Sequence, residues 1–93
     1  MDKPPLTLTQ IRIVEEVDKI KEMLLEKNRS YGDSALNPVR IFSKADKEEQ
    51  LLARIDDKLS RVQLGYDGFN DEDCVGDLIG YLILLRVARG NPS

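Results

Sequence analysis

Two short segments carry carboxylates beside apolar positions: RIDDKLSRV, Arg54 to Val62, and EDCVGDLIGYLILL, Glu72 to Leu85. Asp73 and Asp77 are four apart, so on a helix they share a face, which Gly80 continues. Carboxylates near a packed surface are costly to leave uncompensated, so they call for a positive partner. A hydrated Mg²⁺ carrying a phosphate chain is one such partner, since Mg²⁺ takes hard oxygen ligands and keeps several waters. The other reading of Asp73 is charge complementation at a helix N-terminus. Asp77, further along, is the stronger ligand candidate. Asp56 and Asp57 are neighbours that point about a hundred degrees apart on a helix, so only one can face a given site. Asp57 can pair with Arg54 or Arg61 in a surface ladder; alternatively one of the two Asp residues faces Asp77 across a helix pair, with an arginine or Lys58 free for phosphate.

A second polar cluster is Lys27, Asn28, Tyr31 and Gly32. Lys27 falls on the apolar side of its helix. It either snorkels its ammonium to water or contacts a phosphate. Tyr31 could then stack on a base or bond to a phosphate. No Gly-rich stretch precedes a helix in the manner of a phosphate-binding P-loop. The chain has no histidine, which removes His-based triads and imidazole zinc sites. Cys74, the single cysteine, has no internal disulfide partner and no histidine to activate it. It reads as a small helix residue in a reducing compartment.

Three helices must position these groups. The spacing predicts an all-α protomer with helices at about 8–28, 46–64 and 71–89, a flexible arm at 1–7 and a single domain over 8–90. Thr7 and Gln10 have capping-box spacing. Ile13, Val17, Ile20 and Leu24 then form one face. The segment 29–45 is rich in Asn, Gly, Ser and Pro and reads as a long loop. Tyr31, Pro38, Ile41 and Phe42 are expected to pack it down, with part of Pro38 to Ser43 expected as a short helical turn. Leu51, Leu52, Ile55, Leu59 and Val62 are the expected stripe of the second helix. Gly65 to Asn70 reads as a turn, with Asn70 as the cap of the third helix. Val75, Leu78, Ile79, Leu82 and Leu85 are the expected stripe there, and Arg86, Arg89 and Gly90 form a stop signal. Ile83, Leu84 and Val87 make this helix apolar almost all round. One small protomer cannot cover it, so a homo-oligomer through the third helix is expected.

Net charge is -3 and the isoelectric point is about 4.9. Both argue against nucleic-acid polymers and anionic membranes as partners. The opening MDKPPLTLTQ lacks the apolar core of a signal peptide, and Leu78 to Leu85 is far short of the roughly 20 residues of a membrane span. A cytoplasmic protein, in a bacterium or a phage-infected cell, is expected.

In order and spacing, KNRSYGD, PVRIFSKAD, RIDDKLSRV and EDCVGDLIGYLILLRVAR resemble the phage and bacterial nucleotide-modification-associated domain proteins. These are small relatives of the MazG-type all-α nucleotide pyrophosphatases. The match spans most of residues 26 to 89. Gly76-Asp77-Leu78 with its apolar tail is its most specific part. The resemblance implies a MazG-like oligomeric helical bundle, Mg²⁺ held by acids on two neighbouring helices, and nucleotide phosphates as ligand. By position those acids are Asp56 and Asp57 on the second helix and Asp73 and Asp77 on the third, with Glu72 as a substitute. Lys27, Asn28, Tyr31, Lys58 and Arg61 are the candidate nucleotide contacts. No catalytic residue is assigned. The enzymes carry Glu-x-x-Glu on one helix and Glu-x-x-Asp on the next. Here Ser60 stands three after Asp57, and the other pair is Asp-x-x-x-Asp. Three readings stay open: a Mg²⁺-dependent nucleotide pyrophosphatase, a phage protein that sequesters linear or cyclic signalling nucleotides without turnover, and a structural interaction module.

Overall fold

The computed structural model describes residues 3–32, 35–36, 46–65 and 72–90. They form three helices and, among the described residues, no strand: α1 Leu8–Tyr31, α2 Lys47–Gln63 and α3 Cys74–Arg89. The start of α1 is the capping box read from the sequence. Thr7 Oγ1 accepts from the Gln10 amide at 3.1 Å, and Gln10 Oε1 accepts from the Thr7 amide at 2.9 Å. The helix runs three residues past its expected end at Asn28, because Asn28, Arg29 and Ser30 do not break it. The stop is Gly32, with φ 63° and ψ -149°, a conformation closed to residues bearing a Cβ.

Asp46 caps α2 by accepting from the Glu49 amide at 2.8 Å. The cap of α3 is Asp73, whose Oδ1 accepts from the Gly76 amide at 2.8 Å. This moves the start of α3 from the expected 71 to Cys74 and puts Asp77 in the first turn. Asn70 lies outside the described residues, as do the expected turn at 38–43 and most of the 29–45 loop and the 65–70 turn.

α2 and α3 form an antiparallel hairpin. Arg89, at the end of α3, bonds Glu48 at the start of α2. Leu51 and Ile55 of α2 and Cys74 and Leu85 of α3 are the buried apolar residues of this hairpin. The expected α3 stripe is half wrong: Val75, Ile79 and Leu82 are exposed, whereas Gly76 and Gly80 are buried. Gly80 is covered by Met23 and Leu24 of α1, and Gly76 by the carboxylate of the Asp73 cap. Leu52 and Leu59 of α2 are likewise exposed.

α1 crosses the hairpin only near its C-terminal end. Lys27 reaches Asp77, and Met23 and Leu24 lie over Gly80. Three residues back on α1 match three forward on α3, so these two helices are antiparallel as well. No residue of α1 is buried. Of its expected stripe, Ile20 and Leu24 are half-buried, while Ile13 and Val17 are 55% and 59% exposed. No helix among the described residues is long and apolar enough to cross a membrane.

Candidate functional site

The crossing of α1 over the hairpin leaves a cavity of about 360 Å³. α1 supplies Met23, Leu24, Lys27, Asn28 and Tyr31, and Gly32 follows them at its end. α2 supplies Arg54, and α3 supplies Asp77, Gly80, Tyr81 and Leu84. Lys27, Asn28 and Tyr31, grouped from the sequence by spacing alone, therefore share one wall. Gly80 makes the cavity possible by letting α1 lie close. A Cβ there would sit 3.0 Å from Leu24 Cδ2 and 3.2 Å from Met23 Cε.

The electrostatics follow one line of alternating charge. Arg61 Nη1 donates to Glu72 Oε2 at 2.6 Å. Lys58 Nζ donates to Glu72 Oε1 and lies 3.2 Å from Asp77 Oδ2. Asp77 Oδ1 is in turn 3.5 Å from Lys27 Nζ. The order is Arg61, Glu72, Lys58, Asp77, Lys27, from the far end of α2 to the cavity wall. Lys58 lies on the covered line of α2, one turn after Ile55, and its side chain is only 13% exposed. The Glu72 hydrogen bond chiefly raises its pKa. Burial opposes that and Asp77 reinforces it. Glu72 is lowered below the ordinary glutamate range, chiefly by the Lys58 hydrogen bond. Arg61 is raised, chiefly by the charge of Asp57.

The four carboxylates expected to hold a metal fall in different places. Asp56 is exposed and makes no ion pair among the described residues. Asp57 is exposed and pairs with Arg61 at 3.2 Å, the surface ladder that its spacing allowed. Asp73 is the α3 cap. Asp77 alone lines the cavity, and both its oxygens face lysines. Among the described residues no group of three or more acids or thiols is placed to hold a metal ion. The donor set is therefore a poor cradle for Mg²⁺ as it stands, since each of these acids but Asp56 already has a partner.

Tyr81 was not singled out from the sequence, and Arg54 was named there only beside Asp57. The guanidinium carbon of Arg54 lies 5.9 Å from the Tyr81 ring centroid, a cation–π contact. A signal was present: Arg54 and Lys58 are four apart on α2, and Asp77 and Tyr81 are four apart on α3. Two such pairs facing across a hairpin make one polar patch. Arg54, Asp57, Lys58 and Tyr81 also line an adjoining shallow recess. Chemically, the cavity offers two cations, Lys27 and Arg54, two phenol rings, and one carboxylate whose charge is balanced from beneath by Lys58. In comparisons with known proteins, no family model, curated protein or solved structure matches this chain.

Proposed function

We propose that this protein binds a nucleotide in the cavity between α1 and the α2–α3 hairpin, and holds it without hydrolysis. One observation carries the reading: in a chain of net charge -3, Lys27, Arg54, Tyr31 and Tyr81 line one cavity. Lys27 and Arg54 suit phosphate oxygens, Arg54 through its planar fork. The rings suit a base, which stacks on aromatic faces at roughly 1–3 kcal/mol each. The volume lies within the ordinary range for small-ligand pockets, roughly 300–1,000 Å³. Lys58 and Arg61 act from behind, by balancing Asp77 and Glu72, rather than as direct ligand contacts. This is the sequestering function, and linear and cyclic nucleotides both fit its chemistry.

The second reading is the Mg²⁺-dependent nucleotide pyrophosphatase implied by the MazG-like resemblance. In its favour, Asp57 on α2 and Glu72 and Asp77 beside or on α3 are linked through Lys58 and Arg61. It requires Mg²⁺ to displace cations that these acids already hold. Both readings put the protein in the cytoplasm of a bacterium or phage-infected cell, where the nucleotides are.

The protomer also assembles with copies of itself on this proposal. Val75, Ile79, Leu82, Ile83 and Val87 of α3 are exposed, and a contiguous apolar stripe of this kind marks an interaction surface. Thermal-shift measurements across linear and cyclic nucleotides, with and without Mg²⁺, followed by chromatography of the recovered ligand, test the function. A shift without Mg²⁺ and recovery of intact ligand is the expected result. Recovery of a monophosphate from a triphosphate would favour the pyrophosphatase. No shift with any nucleotide would leave the structural module.

A further inference from the structure

The resemblance implies a divalent ion between acids of neighbouring helices. What lies between Glu72 and Asp77 in this chain is an ammonium group. Lys58 Nζ bonds Glu72 and sits 3.2 Å from Asp77 Oδ2. It is held there by more than charge. Its stem continues the covered line of Leu51 and Ile55, and 87% of its side chain is removed from water. Of the remaining acids, Asp57 is committed to Arg61 and Asp73 to the α3 cap, while Asp56 is exposed and lines neither recess. We infer that Lys58 is a tethered cation that neutralises Glu72 and Asp77 in place of a divalent ion, so that the cavity captures its phosphate-bearing ligand without metal.

The consequence is geometric as well as electrostatic. An ion brings its own coordination demands and exchanges with the medium, whereas a lysine is fixed by the helix that carries it. With Glu72 taking the other side of the ammonium, Lys58 holds Asp77 by Oδ2. Asp77 Oδ1 is left turned toward Lys27 at 3.5 Å, the outer limit of a hydrogen bond. Lys27, with 53% of its side chain exposed, can then leave Asp77 for a phosphate oxygen at little cost. This role rests on the nucleotide-binding reading for its purpose, but not for its test.

The test uses the full chain with Mn²⁺ alone, and separately with inorganic pyrophosphate in the presence of EDTA. The wild-type protein is expected to show no Mn²⁺-dependent change in melting temperature and no tightly bound Mn²⁺ by electron paramagnetic resonance. Lys58→Met keeps the stem and removes the charge. It is expected to gain a Mn²⁺-dependent rise of about 5 °C at saturating ion, which the added change Glu72→Gln abolishes. Tight Mn²⁺ binding by the wild type that Asp77→Asn removes would overturn the inference, as would a folded Lys58→Met variant that gains no response. If that variant does not fold, the wild-type Mn²⁺ titration still decides. Pyrophosphate binding that EDTA abolishes would also overturn the inference. Absence of pyrophosphate binding under all conditions counts against the nucleotide reading alone.

Discussion

Gly80 offers the sharpest test of how α1 is held. A Cβ at this position would lie 3.0 Å from Leu24 Cδ2 and 3.2 Å from Met23 Cε. Carbon atoms in good contact are about 3.5–4.0 Å apart, so Gly80→Ala requires α1 side chains to give by roughly 0.5 Å or more. Both contacts are the far ends of flexible side chains, and α1 has no buried residue to resist the shift. Alanine also gains about 1 kcal/mol of helix propensity over glycine. The two effects oppose, and the unfolding free energy of Gly80→Ala should stay within about 1 kcal/mol of wild type, a shift of no more than roughly 4–8 °C in melting temperature for a domain of this size. Gly80→Leu is different in kind. Its side chain enters the cavity and pushes the Lys27 wall away from Asp77. Nucleotide affinity should fall at least tenfold, about 1.4 kcal/mol. Urea unfolding and ligand titration on the same samples separate the effects. A loss above about 2 kcal/mol in Gly80→Ala would mean that α1 is locked onto α3 as core. Unchanged affinity in Gly80→Leu would remove the cavity from ligand binding.

Lys27→Met should cost a phosphate ligand roughly tenfold or more in affinity, on the order of 1.5–3 kcal/mol for a charge-assisted bond. It should leave stability nearly unchanged, because the pair with Asp77 is long and the lysine half exposed; isothermal titration and thermal melting read the two quantities. Asp73→Asn should preserve both stability and binding, since asparagine caps as well as aspartate, while Asp73→Ala should lose about 1 kcal/mol in chemical denaturation. A collapse of ligand binding in Asp73→Asn would return Asp73 to the site. The Glu72–Lys58 pair also sets a pH window. Glu72 is lowered, so its contribution is present above the ordinary glutamate range and is lost as pH falls through its folded pKa. Lys58 is raised, so its contribution is present below the ordinary lysine range and is lost as pH rises through its folded pKa. Between those limits the pair contributes a flat plateau. Urea midpoints measured against pH should show the acid loss shrink in Glu72→Gln.

Much of the fold was legible because its signals are local. Thr7 and Gln10 announced the first cap, Asp46 lay within the range expected for the second helix start, and Arg86 and Arg89 marked the last turn of α3. Helix boundaries failed where a better local device lay nearby. Gly32 ended α1 in place of Asn28, and Asp73 capped α3 in place of Asn70. The α3 stripe misled for another reason. Counting bulky apolar residues picks out Val75, Ile79 and Leu82, yet the close crossing of α1 is built on Gly80, and Gly76 is covered by the Asp73 cap. The Lys27, Asn28 and Tyr31 wall could be read because its members lie within one helical turn or so of each other. Its opposite wall, Arg54 and Tyr81, depends on how two distant segments pair. Lys58 was readable as a cation, but its place between Glu72 and Asp77 is tertiary information.

Two glycines border the same cavity for unrelated reasons, and a library of variants would separate them. At Gly80 the backbone is ordinary helix and the limit is room. Tolerance there should decline in steps with the volume of the replacement, and a truncation at Leu24 could restore it. At Gly32 nothing among the described residues lies within 4 Å of an added Cβ, and the limit is the backbone angle itself, φ 63°. Every replacement should therefore be penalised to a similar degree, small or large, and no second-site change in a neighbouring side chain should rescue it. One wall of the cavity is thus open to redesign by exchanging volumes, while the exit from α1 is fixed by chain geometry that no neighbour can relax.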